Sequence, residues 1–114
     1  MLSTLHSIAS YLIVVLGCVH ELFTFHNYDH LDLDAVWFLG AGLAIVYTGL
    51  LNIVVLRARA RDRISLALCL LPNLIMLAGF AAGLALLRQP QVFIGILLSA
   101  ITTAGTLQLL FRRA

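Results

Sequence analysis

Gly17-Cys18-Val19-His20-Glu21-Leu22-Phe23-Thr24-Phe25-His26-Asn27-Tyr28-Asp29-His30-Leu31-Asp32-Leu33-Asp34 is the stretch whose reading decides the fold. It holds three of the four histidines and four of the five acidic residues. On either side the chain is apolar for about twenty residues, the length of helix that crosses a bilayer. The stretch therefore reads as the end of one membrane helix and the turn into the next.

Working outward, four runs have this character, about residues 3–25, 35–56, 64–88 and 91–111. Of 114 residues, 62% are hydrophobic and 11% charged. A soluble domain carries roughly 25% charged residues. Backbone groups in lipid must be satisfied within their own segment, so four such runs predict four helices. The expected fold is all-α: one integral membrane domain, a four-transmembrane-helix bundle.

The remaining polar segments are short. Arg57-Ala58-Arg59-Ala60-Arg61-Asp62-Arg63 is strongly basic, Arg88-Gln89-Pro90-Gln91 is a tight turn, and Arg112 and Arg113 lie at the end of the sequence. There is no lysine. The arginines are topology signals and not a nucleic-acid surface, so no nucleic-acid partner is expected. With the Arg57–Arg63 loop cytoplasmic, both termini are cytoplasmic and six of the seven arginines lie inside. A bacterial inner membrane is the expected location. Met1 to Val19 has no preceding basic residue and no small-residue cleavage pattern, so the first helix is expected to be retained. Cys18 and Cys69 fall in different apolar runs and read as packing thiols.

An offset of 55 residues brings Trp37-Phe38-Leu39-Gly40 onto Val92-Phe93-Ile94-Gly95 and Thr48 onto Thr103. This is a weak two-hairpin internal repeat, of the kind found in some transporters.

At 100° per residue, Ser3, His6, Ser10, Gly17, His20, Glu21 and Thr24 share about 100° of the first helix. Polar groups facing lipid are costly, so this stripe should face the bundle or an oligomer interface. Gly95, Ser99, Thr102 and Thr106 form a matching stripe on the fourth helix. Ala35, Gly42 and Gly49 stand in heptad spacing on the second. Gly79-Phe80-Ala81-Ala82-Gly83 on the third is a small-xxx-small pattern that allows close helix approach. Asn52 and Asn73, the latter just after Pro72, read either as interhelical hydrogen-bonding groups or as the lining of a solute path.

An ionisable residue inside a membrane helix is a functional-site hypothesis. Glu21 is therefore the candidate proton or cation site, with His20 its partner. Ser10, Thr24, Asn52, Asn73, Ser99 and Thr102 would line the path. This is the leading reading: a homo-oligomeric small-solute or proton-coupled transporter with a polar path along helices one and four. A second reading uses ligand chemistry. His26, Asp29 and His30, with His20 and Glu21, could take zinc, copper or iron. His26 and His30 share a face if the first helix runs past Phe25. His6 and His20, about 21 Å apart along the axis at 1.5 Å per residue, have the spacing of diheme cytochromes, but no other helix carries a histidine for heme. A third reading is an accessory subunit docked on a partner membrane protein. No nucleophile–base pair or phosphate loop is present, so catalysis without a metal is not expected. Asp34 is the expected cap of the second helix.

Four helices and one membrane glutamate look like the architecture of the small multidrug resistance transporters. In that family the essential glutamate lies near the middle of helix one. Here the middle is Val14 to Cys18 and Glu21 is near the end.

Overall fold

The computed structural model describes residues 1–58 and 61–113. Arg59 and Ala60 of the basic loop lie outside the described residues. Four helices account for nearly all of the rest: α1 (Leu2–Asn27), α2 (Leu33–Arg57), α3 (Arg63–Leu86) and α4 (Pro90–Arg113). Among the described residues there is no strand. All four helices are long and apolar enough to cross a membrane, and we read the chain as a multi-pass membrane protein.

The helix ends follow from local chemistry. The α2 cap is Asp32, whose Oδ1 accepts the Ala35 N–H at 2.9 Å. Asp34, the residue expected to cap, instead sits in the first turn, where its charge still favours the positive end of the helix. Asp62 caps α3 by accepting from the Ser65 N–H at 2.6 Å. Pro90 opens α4, where its missing N–H has no consequence; α3 has already ended at Leu86. Arg61 folds back on the end of α2. Its Nε donates to Val55 O at 2.9 Å and its Nη2 to Leu56 O at 2.7 Å, satisfying carbonyls that the last helical turn leaves free.

The helices pair as two hairpins, α1 on α2 and α3 on α4, joined mainly where α1 packs on α4. The α2–α3 contact is the least extensive of these. At one end of the bundle lie Met1, the α2–α3 connection and the end of α4, with Arg57, Arg61, Arg63 and Arg112. At the other lie the acidic α1–α2 connection and the α3–α4 turn. We call these the arginine end and the acidic end.

Two apolar clusters fill the interior. One is Ala9, Ile13, Ile45 and Leu98, with Leu16, Met76, Phe80 and Ile101 against it. The other, toward the arginine end, is Val55, Leu66 and Cys69, with Leu51, Leu109 and Leu110.

Glycine sets how close the helices come. No described glycine has a positive φ, so its use here is space and not backbone conformation. A Cβ on Gly17 would lie 2.5 Å from Val46 Cγ2 and 2.8 Å from Val46 N. One on Gly49 would lie 2.9 Å from Ser10 O. These two glycines let the α1 and α2 backbones meet. Gly79 and Gly83 of α3, expected to make a close approach, have nothing within 4 Å of such a Cβ. The two hairpins also differ in their glycines. Gly40 faces open space, whereas Gly95, its equivalent in the sequence repeat, abuts the Phe80 ring.

Candidate functional site

The polar stripes predicted for α1 and α4 do face inward. His6, Ser10, Gly17 and Thr24 are buried on α1, and Gly95, Ser99, Thr102 and Thr106 on α4. Ser3 is exposed. What the stripes build differs between the two ends of the bundle.

Toward the arginine end they form a closed hydrogen-bonded cluster that joins all four helices. His6 Nε2 of α1 donates to Asn52 Oδ1 of α2 at 2.8 Å. Asn52 Nδ2 donates to Asn73 Oδ1 of α3 at 2.7 Å, and Asn73 Nδ2 returns a bond to Asn52 Oδ1 at 3.0 Å. Asn73 Nδ2 also donates to Thr106 Oγ1 of α4 at 3.0 Å. Cys69 Sγ reaches Asn52 Oδ1 at 3.3 Å. The second Asn52 proton goes to Thr48 O at 2.8 Å. Both asparagines are 0% exposed. A buried carboxamide without partners is costly, and here each is satisfied by its opposite number. Of the two readings of Asn52 and Asn73, this geometry is that of interhelical bonding. Gly105 makes it possible, because a Cβ there would collide with the His6 imidazole.

Three of the other expected lining hydroxyls, those of Ser10, Ser99 and Thr102, are turned onto their own helices. Ser10 Oγ donates to His6 O at 2.7 Å, Ser99 Oγ to Gly95 O at 2.6 Å, and Thr102 Oγ1 to Ser99 O at 3.1 Å. This back-bonding is a common way for a helix to absorb a buried hydroxyl.

The acidic end is different. His20 stacks on Phe38 with ring centroids 3.9 Å apart, and its Nε2 donates to Phe38 O at 3.0 Å. Next to it, Glu21 Oε1 is buried without a hydrogen-bond partner, as is Thr24 Oγ1 one turn on. Gly42 of α2 is the seat of both α1 residues: a Cβ there would strike Glu21 Oε1 and lie 2.9 Å from His20 Cδ2. Glu21 and His20 are thus held on one notch in the α1–α2 seam, and displacing either disturbs the other.

Two cavities open beside His20. One, about 450 Å³, runs between α2 and α3 and is lined by Ala41, Ala44, Ile45, Met76, Gly79 and Phe80, with Thr48 and Pro72 deeper in the bundle. The other, about 700 Å³, lies at the acidic end and adds Phe23, Asn27, Phe38, Gln89 and Gln91. His20, Ile45 and Phe80 border both. Glu21 lines neither, and neither reaches Ser10, Asn52, Asn73, Ser99 or Thr102.

The proposed metal ligands are not brought together. Among the described residues no group of three His, Cys, Asp or Glu side chains could hold a metal ion. α1 ends at Asn27 and Tyr28 is extended, at φ −126° and ψ 124°, so His26 and His30 do not share a helical face. His30 lies 3.9 Å from Asp32 instead, both well exposed, and Asp29 is exposed too. His6 and His20 have their Nε2 atoms engaged by Asn52 and Phe38, on which a heme iron would have to call. Both cysteines are free thiols.

Sequence reasoning placed Glu21, His20, Asn52 and Asn73 facing inward. It missed the pairing of His6 with Asn52, 46 residues away, and the enabling role of Gly105. The only available signal was that His6 shares a stripe with Ser10 and His20. Comparison with protein-family models, with curated proteins and with solved structures finds no match.

Proposed function

We propose that the chain is a small proton-coupled carrier, working as a homo-oligomer in a bacterial inner membrane, with its solute site at the acidic end. The observation that carries this reading is the buried, unpartnered Oε1 of Glu21, seated with His20 on Gly42. A carboxylate oxygen in a membrane helix without a donor is costly. Proton uptake or release at Glu21 changes what the Gly42 notch must accommodate, and His20 carries that change to both cavities. The bundle is open beside His20 and closed by the His6–Asn52–Asn73–Thr106 cluster, the shape of a carrier accessible from one side. The arginine-rich end is the cytoplasmic one under this reading, because basic residues favour that side. A C-terminal fluorescent-protein fusion should then be bright and an alkaline phosphatase fusion inactive.

The test is a pH jump on proteoliposomes, recorded electrically on a solid support. The wild-type chain should give a proton-driven current, Glu21→Gln should lose it, and the exposed control Asp34→Asn should keep it. An unchanged current in Glu21→Gln removes Glu21 from the mechanism.

A further inference from the structure

The two cavities differ in character and share a border, formed by His20, Ile45 and Phe80. The larger one, at the acidic end, offers the amides of Asn27, Gln89 and Gln91. The smaller one, between α2 and α3, is apolar apart from His20 and the Thr48 hydroxyl. No carboxylate, arginine or lysine lines either. Each falls within the roughly 300–1,000 Å³ typical of small-molecule sites, which are mostly apolar with a few placed polar groups.

We infer that the pair forms one binding site for a single-chain amphiphile with an uncharged, hydrogen-bonding head, such as a monoacylglycerol. The head occupies the amide-lined mouth at the acidic end, within reach of His20. The chain lies along Ala41, Ala44, Ile75, Met76 and Gly79 between α2 and α3. No charged group lines the mouth to pair with an ionic head, whereas its amides can hydrogen-bond an uncharged one. A chain fits here better than a helix. The groove penetrates to Ile45 and Thr48, which are 9% and 6% exposed, whereas a helix is about 10 Å across and could not reach them without parting α2 from α3. Its opening between α2 and α3, the least extensive of the four main helix contacts, gives a tail lateral entry from the bilayer. This inference goes beyond the carrier reading and does not use Glu21, which lines neither cavity.

The test is photolabelling in detergent-free nanodiscs with a monoacylglycerol carrying a diazirine in its chain, followed by peptide mapping. Gly79→Leu fills the groove from a position where a Cβ meets nothing, so it should fold and lose the label on α2 and α3. Gly83→Leu, equally open but outside the groove, should fold and keep it. The proton current is read on Glu21→Gln and the label on Gly79→Leu, so that failure of the current and failure of binding are separately visible. Equal labelling of the Gly79→Leu and Gly83→Leu variants overturns the site. So does conversion of a wild-type oligomer to monomer by Gly79→Leu without loss of a specific label, which would give the groove to a second copy of the chain.

Discussion

Asn52 and Asn73 face each other through their carboxamides and exchange two hydrogen bonds, at 2.7 and 3.0 Å, at the point where all four helices are tied together. An interhelical hydrogen bond in a membrane averages about 0.6 kcal/mol. Leaving a buried partner unsatisfied costs about 1–3 kcal/mol more. Asn73→Leu removes the bonds to Asn52 and Thr106 and strands part of the Asn52 amide. The expected loss is about 1–3 kcal/mol by detergent-driven unfolding. The double variant Asn52→Leu/Asn73→Leu should lose less than the sum of the singles, because no half-pair is left behind. Strict additivity would mean that the pair is not coupled.

His6 reaches Asn52 only because residue 105 lacks a Cβ. Gly105→Ala should push the imidazole away and weaken the bundle by about 1–3 kcal/mol, the range for overpacking. In a His6→Ala background the ring is gone and only the residue 6 Cβ, 2.8 Å away, is still struck, so the same substitution should cost less. A thermal-shift series on the four proteins reads this coupling directly. An equal effect of Gly105→Ala in both backgrounds would place its cost elsewhere on α4.

The cap assignment separates two aspartates that are two residues apart. Asp32→Ala removes the acceptor for the Ala35 N–H and should cost about 1 kcal/mol. Asp34→Ala removes only a favourable charge in the first turn, worth about 0.3–1 kcal/mol and screened by salt. Raising the ionic strength should therefore shrink the Asp34→Ala effect and leave that of Asp32→Ala nearly unchanged. The reverse pattern would return the cap to Asp34.

These contrasts also show what could be read before the structure. The four helices were legible because a bilayer forces an uncharged run of this length to bond within itself. The inward stripe of His6, Ser10, His20, Glu21 and Thr24 was legible because lipid penalises polar groups on the other face. Helix ends shifted by one or two residues, as with Asp32 in place of Asp34, because either side chain could serve as cap and only the backbone at residue 32 is extended. The partners of the inward groups were not legible. His6 could have met any level of α2 or α4, and its height is set by the glycine contacts of Gly17 and Gly49 on the α1–α2 seam. The small-xxx-small pattern of α3 misled for the same reason. A glycine permits close approach, but whether a helix arrives there depends on neighbours that periodicity does not name.

That seam is the last point of test, and it has an internal control. A side chain on Gly49 meets Val14 Cγ2 at 2.7 Å, Ser10 O at 2.9 Å and Val14 N at 2.9 Å, and two of these three are backbone atoms that no rotamer change can move. Gly49→Leu must therefore separate α1 from α2. Separation would lower Asn52 and His6 out of register, so that the cost is the seam and the four-helix cluster together. Gly40 lies on the same helix, nine residues away, with nothing within 4 Å. Gly40→Leu should be tolerated, and it improves the intrinsic helix preference of that position by up to about 1 kcal/mol. The measurement is disulfide crosslinking of a cysteine pair placed across the seam, in the Gly40→Leu and Gly49→Leu backgrounds, with native Cys18 and Cys69 replaced by alanine. Crosslinking should persist in the first and fail in the second. Equal crosslinking in both would mean that α1 and α2 do not cross at Gly49, and the His6–Asn52 register would fall with that crossing.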